Sequence, residues 1–387
     1  IRTALFVLAP YRVRDEHYAA NFWRDWFIRH NMPKADASGT SLAPFSTCCL
    51  ANDTGLPNSD GSISERHTTW RPSLEKMIAE GAKVVETKQG SIDLTEALAL
   101  LLETFGENRK SCQTGISGFD RLTGGIRGGK LIVIGARPGV GKTALALSMG
   151  KHVARHTGGV LVVSLEMSEE EIMARLYASE SGVDVQELES GNLSDESLEG
   201  LARYAPLVTR LPIRIAEKAS TPMQIRREAS KMADSMGLAM IVVDYIQLMR
   251  PDNKHSSRYE EVSEISRELK LLAMDMGVPV LALTQFNRSS EAGKNGQASK
   301  RPPMMAEAKD SGSIEQDANV FIIQYAPDDP GNDPFSQHAA QVCEAYKWQL
   351  QTLTVEKNRQ GRTGKIAVGF DRAHMRFHNF DFSGVIR

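Results

Sequence analysis

The stretch LIVIGARPGVGKTALAL, Leu131 to Leu147, constrains the fold more than any other part of the chain. Four apolar residues without polar alternation read as a strand buried on both faces. A turn containing proline and glycine follows, and Gly141-Lys142-Thr143 then opens an apolar helix. Strand, glycine-rich turn, Lys-Thr and helix together make the context of a phosphate-binding loop. Glycines let backbone N–H groups curl around phosphates without Cβ clashes, and the helix N-terminus adds partial positive charge. Lys142 would reach the β- and γ-phosphates, and the Thr143 hydroxyl would ligate Mg²⁺. The expected nucleotide cradle is therefore Ala136, Arg137, Pro138, Gly139, Val140, Gly141, Lys142 and Thr143. It departs from the usual pattern at one place: the first glycine, five residues before Gly141, is Ala136, with Gly135 one position early.

The sequence around this loop supports the same architecture. Apolar runs at Leu131–Ile134, Val160–Leu165, Met240–Val243, Val278–Leu283 and Val320–Ile323 alternate with amphipathic helices. The clearest helix is Tyr259–Met276, with Val262, Ile265, Leu269, Leu272 and Met276 on one face. The expected fold is α/β, a mainly parallel sheet flanked by helices. A net charge of -2 gives no global basic field, so any nucleic-acid contact must come from local loops. Cys48, Cys49, Cys112 and Cys343 form no CxxC pair, which argues against a zinc ribbon or a disulfide framework. Sparse cysteines fit a reducing, cytoplasmic setting. No apolar run reaches the roughly 20 residues needed to cross a bilayer, so no membrane partner is expected.

Upstream the texture differs. Ala4–Pro10 reads as a buried strand, although it could imitate a short signal core, and the chain starts at Ile1. Arg14–His30 reads as an amphipathic helix whose aromatic stripe (Tyr18, Phe22, Trp26) suits a core better than a base-stacking platform. Pro33–Trp70 loses periodicity and reads as loop or linker. A short helix is expected after Pro72, and a better one at Asp93–Gly106 with a stripe of Leu94, Leu98, Leu101, Leu102 and Phe105. That stripe needs a partner, in its own domain or on a neighbouring subunit. The expected domains are a small, poorly defined N-terminal region over 1–70, a helical linker over 71–113 and an ATPase domain over 114–387.

Three more buried strands end on polar residues: Glu166 in VVSLEM, Asp244 in IVVDYIQLM and Gln285 in LALTQFNRS. Open α/β sheets bind ligands at this edge. Asp244 can hold a Mg²⁺ shell, Glu166 can take a proton from an attacking water, and Gln285 can sense the γ-phosphate. An acidic strand end can instead be only an N-cap for the next helix, and for Glu166 alone both readings stand. Together with the loop, these residues describe a site that binds and hydrolyses a nucleoside triphosphate.

Near the C-terminus, VEKNRQGRTG places Lys357 and Arg359 two apart before a turn, hence on one face of a strand. Such a pair belongs in water or opposite an anion, and by itself the stretch reads as a solvated hairpin. In GKNGQASKRPP, Lys294, Lys300 and Arg301 could contact phosphates, but a solvated loop explains them equally well.

In order, TGISGFDRLTGGI, GARPGVGKT, SLEMS, DYIQLM, TQFNRS, KDSGSIEQDAN and EKNRQGRTG resemble the replicative DNA helicases of the DnaB type, ring ATPases with a RecA-like core. The resemblance runs from Thr114 to about Phe380. It implies a RecA-like P-loop NTPase core and a homo-hexamer that uses ATP and Mg²⁺ to move along single-stranded DNA at a replication fork. Primase and a helicase loader are implied as further partners. By the match, Glu166 is the catalytic base, Lys142 and Thr143 bind phosphate and Mg²⁺, and Asp244 is the Walker B acid. Gln285 couples nucleotide state to DNA-binding loops, and Arg359 with Lys357 reaches across a subunit boundary to the neighbour's γ-phosphate. Lys309, Asp310 and Gly312 would track the DNA backbone, with Lys309 where the family usually has Arg, a looser contact without the planar fork. The competing readings are a recombination or clock-type ATPase on the same core, and a degenerate nucleotide-binding scaffold. The retained Lys142, Thr143, Glu166, Asp244, Gln285 and Arg359 speak against the scaffold.

Overall fold

Successive residues of a strand face opposite sides, so an apolar run without alternation needs a cover on both faces. The computed structural model supplies it. It describes residue 94 and residues 111–253, 257–286, 302–305, 311–331, 333–359 and 361–380. The chain divides into two compact units, Ile1–Arg109 and Lys110–Arg387, and the description below concerns the second. The expected strand at Ala4–Pro10 and the helices at Arg14–His30 and after Pro72 lie outside the described residues. So does the expected Asp93–Gly106 helix except Leu94, which is helical and exposed.

In chain order, β1 (Ser111–Cys112) and β2 (Ile126–Arg127) pair antiparallel on either side of α1 (Ser117–Thr123). Then come β3 (Leu131–Ala136), α2 (Lys142–His156), β4 (Val160–Ser164), α3 (Glu169–Ser181), α4 (Val185–Ser190) and α5 (Asp195–Val208). They are followed by β5 (Ile213–Ala216), α6 (Pro222–Met236), β6 (Met240–Asp244), α7 (Arg258–Met276) and β7 (Val280–Gln285). The last elements are α8 (Ser311–Asp317), β8 (Val320–Tyr325), α9 (Pro334–Tyr346), β9 (Gln349–Asn358), β10 (Gly364–Asp371) and β11 (Arg376–Asn379).

The main sheet has nine strands in the order β11-β10-β9-β8-β3-β7-β6-β4-β5. The run from β8 to β5 is parallel throughout. β9, β10 and β11 extend it antiparallel from the β8 edge. All five apolar runs are strands, and β3, β6, β7 and β8 continue past the apolar residues to end on Ala136, Asp244, Gln285 and Tyr325. The antiparallel extension is an addition to the expected architecture, of which the sequence had indicated only the hairpin at Lys357.

Alternation along the strands sorts the core into two layers. Ile132, Ile134, Val160, Val162, Met240, Val242, Leu281 and Leu283 face one side, where Leu145, Met149 and Val153 of α2 and Ile172 and Leu176 of α3 cover them. Leu131, Val133, Leu161, Val163, Ile241, Val243, Val280 and Ala282 face the other. There α6 supplies Ile225, Ala229 and Met232, and α7 supplies Val262, Ile265, Leu269 and Leu272. Helix α6 begins with a capping box, Thr221 with Gln224, and with Pro222 at its first position.

Because Leu269 is fully buried between α7 and the sheet, Leu269→Ala should cost about 2–5 kcal/mol of stability. Urea unfolding followed by circular dichroism measures this, and a loss well under 1 kcal/mol would contradict the layer assignment.

Candidate functional site

In a parallel ladder every strand ends at the same edge, and register decides which ends are neighbours. Ala136 at the end of β3 lies beside Gln285 of β7 and Gln324 of β8. Ser164 of β4 lies beside Asp244 of β6. The loop 136–143, Glu166, Asp244 and Gln285 therefore leave the sheet at one edge. Gly139 and Gly141 hold φ of +74° and +105°, left-handed values that favour glycine. The early glycine is explained by packing: a Cβ on Gly135 would lie 2.7 Å from the Phe286 ring. Ala136, where the pattern has glycine, is fully buried.

At this edge Lys142 Nζ donates to Asp244 Oδ1 at 3.0 Å and to Glu166 Oε2 at 3.1 Å. The Thr143 hydroxyl donates to Asp244 Oδ2 at 2.5 Å. Asp244 is 1% exposed, so its charge is offset by the ammonium and the hydroxyl rather than by water. The ammonium also lies 4.6 Å from the Tyr245 ring centroid, within cation–π range. Burial foremost, then the nearby Glu166 carboxylate, pushes the Tyr245 phenol above its usual pKa. A hydroxyl and a carboxylate oxygen in contact are the hard donors that Mg²⁺ takes when phosphate oxygens and water complete its shell. Thr143 and Asp244 thus fit the expected metal.

Glu166 is not a helix cap. The cap of α3 is Ser168, whose side chain accepts from Glu171 N–H while the Glu171 carboxylate accepts from Ser168 N–H, a complete capping box. The Glu166 side chain is 49% exposed and faces Lys142. Gln285 is half-buried at the end of β7. Its neighbour Thr284 accepts from Gln247 Nε2 at 2.7 Å, tying the end of β7 to the turn after Asp244. Sequence reasoning missed Gln247 and Tyr245, although both lie within the DYIQ segment that carries Asp244.

Lys357 and Arg359 lie elsewhere. Lys357 pairs with Phe321, and Asn358 pairs with Val320, which lies beside Ile132 at the start of β3. Ile132 precedes Ala136 by four residues, roughly 13 Å along the strand. These cations therefore lie toward the opposite edge from the chain's own loop. Both project to the same side, as their spacing required: Lys357 Nζ donates to the carbonyls of Glu315 and Gln316, and Arg359 Nη2 to that of Gln316. Those carbonyls close the C-terminal end of α8, where a helix dipole attracts positive charge. Burial, with the adjacent Arg359 charge, lowers the Lys357 pKa. Lys270 joins the cluster, donating to Asn319 Oδ1 at 2.5 Å, and Asn319 also fixes Leu131 N–H at 3.0 Å. Of the expected DNA-contact residues, Gly312 lies in the first turn of α8. Lys309, Asp310, Lys294, Lys300 and Arg301 lie outside the described residues.

The sequence model of the family described as "DnaB-like helicase C terminal domain" matches residues 111–379. The chain is similar to the replicative DNA helicase DnaC of Bacillus subtilis, 31% identical over 343 residues, covering 84% of this chain and 72% of that protein. It is also similar to the replicative DNA helicase DnaB of Geobacillus stearothermophilus, 34% identical over 271 residues, covering 69% of this chain and 56% of that protein. Its fold matches a solved DnaB-like replicative helicase, described with its primase interactions, at TM-score 0.62 and 24% identity. That match covers 82% of this chain and 77% of the other. The chain thus spans about half to three quarters of the length of the proteins it resembles.

The cap assignment predicts a contrast measurable by urea unfolding. Ser168→Ala should lose about 1 kcal/mol, whereas Glu166→Ala should stay within about 0.5 kcal/mol of the parent. The reverse order would return Glu166 to a capping role.

Proposed function

The chain belongs to the DnaB-like helicase C-terminal domain family, and from that membership we propose that it is the ATP-hydrolysing motor of a replicative DNA helicase. The observation that carries this reading is the convergence of Lys142, Thr143, Asp244 and Glu166 at one sheet edge. The Lys142 ammonium bridges two carboxylates, Asp244 and Glu166. A triphosphate would draw it away as the stronger anion, leaving Glu166 free to accept a proton from the attacking water. Thr143 and Asp244 would hold Mg²⁺, which when bound neutralises charge on the phosphate oxygens. Gln285, in register with the last strand residue before the loop, would respond to the γ-phosphate.

The distance between Arg359 and the chain's own loop supports a shared site. An arginine at the opposite edge cannot complete its own centre, yet it can complete a neighbour's in a head-to-tail arrangement. Such heterologous contacts close into rings when the rotation permits. The proposed assembly is a homo-hexamer around single-stranded DNA, with Arg359 as finger and Lys357 as its companion. Lys309, Asp310 and Gly312 would follow the DNA backbone, and contacts with a primase and a loader belong to the same reading. Residues 114–387 would then form the motor, 71–113 a helical linker and 1–70 a separate N-terminal region.

Lys142→Ala should abolish ATP hydrolysis. Arg359→Ala should slow it about 10³-fold or more while nucleotide still binds. Mixing Arg359→Ala with Glu166→Ala protein should restore part of the turnover, because a finger from one variant meets an intact base in the other. The readouts are phosphate release and separation of a forked duplex. Full activity of Arg359→Ala, or no recovery in the mixtures, would sink the shared centre.

A further inference from the structure

The antiparallel extension touches the phosphate-binding loop at three consecutive residues. Arg372, in the turn between β10 and β11, donates from Nη2 to the Gly139 carbonyl at 3.0 Å. Gln351 of β9 donates from Nε2 to the Val140 carbonyl at 2.6 Å. The Phe370 ring of β10 packs so closely on Gly141 that a Cβ there would lie 2.9 Å from it. None of these three residues belongs to the loop, and Gln351 lies 211 positions from its partner.

We propose that Gln351 and Arg372 are positioning residues of the nucleotide site: Gln351 fixes the Val140 carbonyl outward so that the Gly141 N–H turns toward the phosphates, and Arg372 fixes the Gly139 carbonyl and with it the turn that the Val140 N–H closes on the Arg137 carbonyl at 3.5 Å. The Val140–Gly141 peptide is trans, so its C=O and N–H point in opposite directions. Whatever holds the carbonyl on one side therefore aims the Gly141 N–H to the other. Gln351 has little freedom to do otherwise. It is fully buried, and its Oε1 accepts from Gln324 Nε2 at 2.7 Å, itself fully buried on β8. A carbonyl can only accept, so the amide chain runs one way, from Gln324 through Gln351 to Val140. Reversing it would set two oxygens against each other at the loop. Gln349 supports both braces, its Oε1 accepting from Arg372 Nε at 3.0 Å and from Gln351 Nε2 at 3.2 Å. The arrangement gives the loop a fixed shape before ligand arrives, and preorganisation of that kind raises affinity.

This inference rests on the nucleotide-site reading above, and full-length Gln351→Glu, Gln351→Met and Arg372→Ala test it separately. Binding of a fluorescent ATP analogue with Mg²⁺ is measured at about pH 8 and about pH 5.5, beside KM and kcat. At the higher pH both Gln351 variants should bind about tenfold more weakly, with KM raised and kcat at saturation within about twofold. On acidification Gln351→Glu should recover relative to the parent, because a buried carboxyl protonates readily and its O–H can donate to the Val140 carbonyl. Gln351→Met should not recover. Binding of Gln351→Met equal to the parent, or equal and pH-indifferent losses in both variants, would overturn the proposal. Arg372 is exposed, so Arg372→Ala keeps the fold even if the buried variants do not, and should weaken binding about threefold. Unchanged binding there would remove Arg372 from the brace. A parent chain that binds no ATP would overturn the proposed function instead.

Discussion

A parallel ladder points every strand the same way, and the arrangement of this molecule's chemistry follows from that constraint. Between β8 and β5 the strand ends collect at one edge, so residues more than a hundred positions apart become neighbours. Asp244 meets Lys142 and Thr143 because β6 and the loop after β3 leave the sheet on the same side. The same constraint sends Lys357 and Arg359 toward the other side, because β9 runs antiparallel to β8 and ends where β8 begins. One chain thus carries the Lys142–Thr143–Asp244 cluster and the Lys357–Arg359 pair toward opposed edges of the sheet.

A buried carboxylate such as Asp244 is costly unless paired, and the pairing falls to Lys142 and Thr143. Nearby, both ends of the Gln351 amide are engaged, and with the left-handed glycines they hold the loop backbone.

What the sequence revealed was local. The loop announced itself because strand, glycines, Lys142 and the helix are contiguous. Asp244 directly follows an uninterrupted apolar run, and Glu166 and Gln285 close runs broken only by Ser164 and Thr284. The capping question at Glu166 had its answer two residues on, where Ser168 and Glu171 carry the S-x-x-E spacing of a capping box that the structure forms. The brace at Val140 was invisible for a different reason. In QLQTLTV, Gln351 reads as an ordinary polar strand position, and only the order of strands brings it across β8 to the loop. Similarly, spacing foresaw that Lys357 and Arg359 share a face, but the two readings weighed were water and phosphate. The carbonyls at the end of α8 were a third possibility.

Those carbonyls matter beyond the contact itself. Lys357 and Arg359 hold the tail of a helix whose first residue, Ser311, belongs to the KDSG segment. Whatever draws on those two charges therefore bears on the steadiness of the short helix they secure, since both cations spend their donors on its last turn.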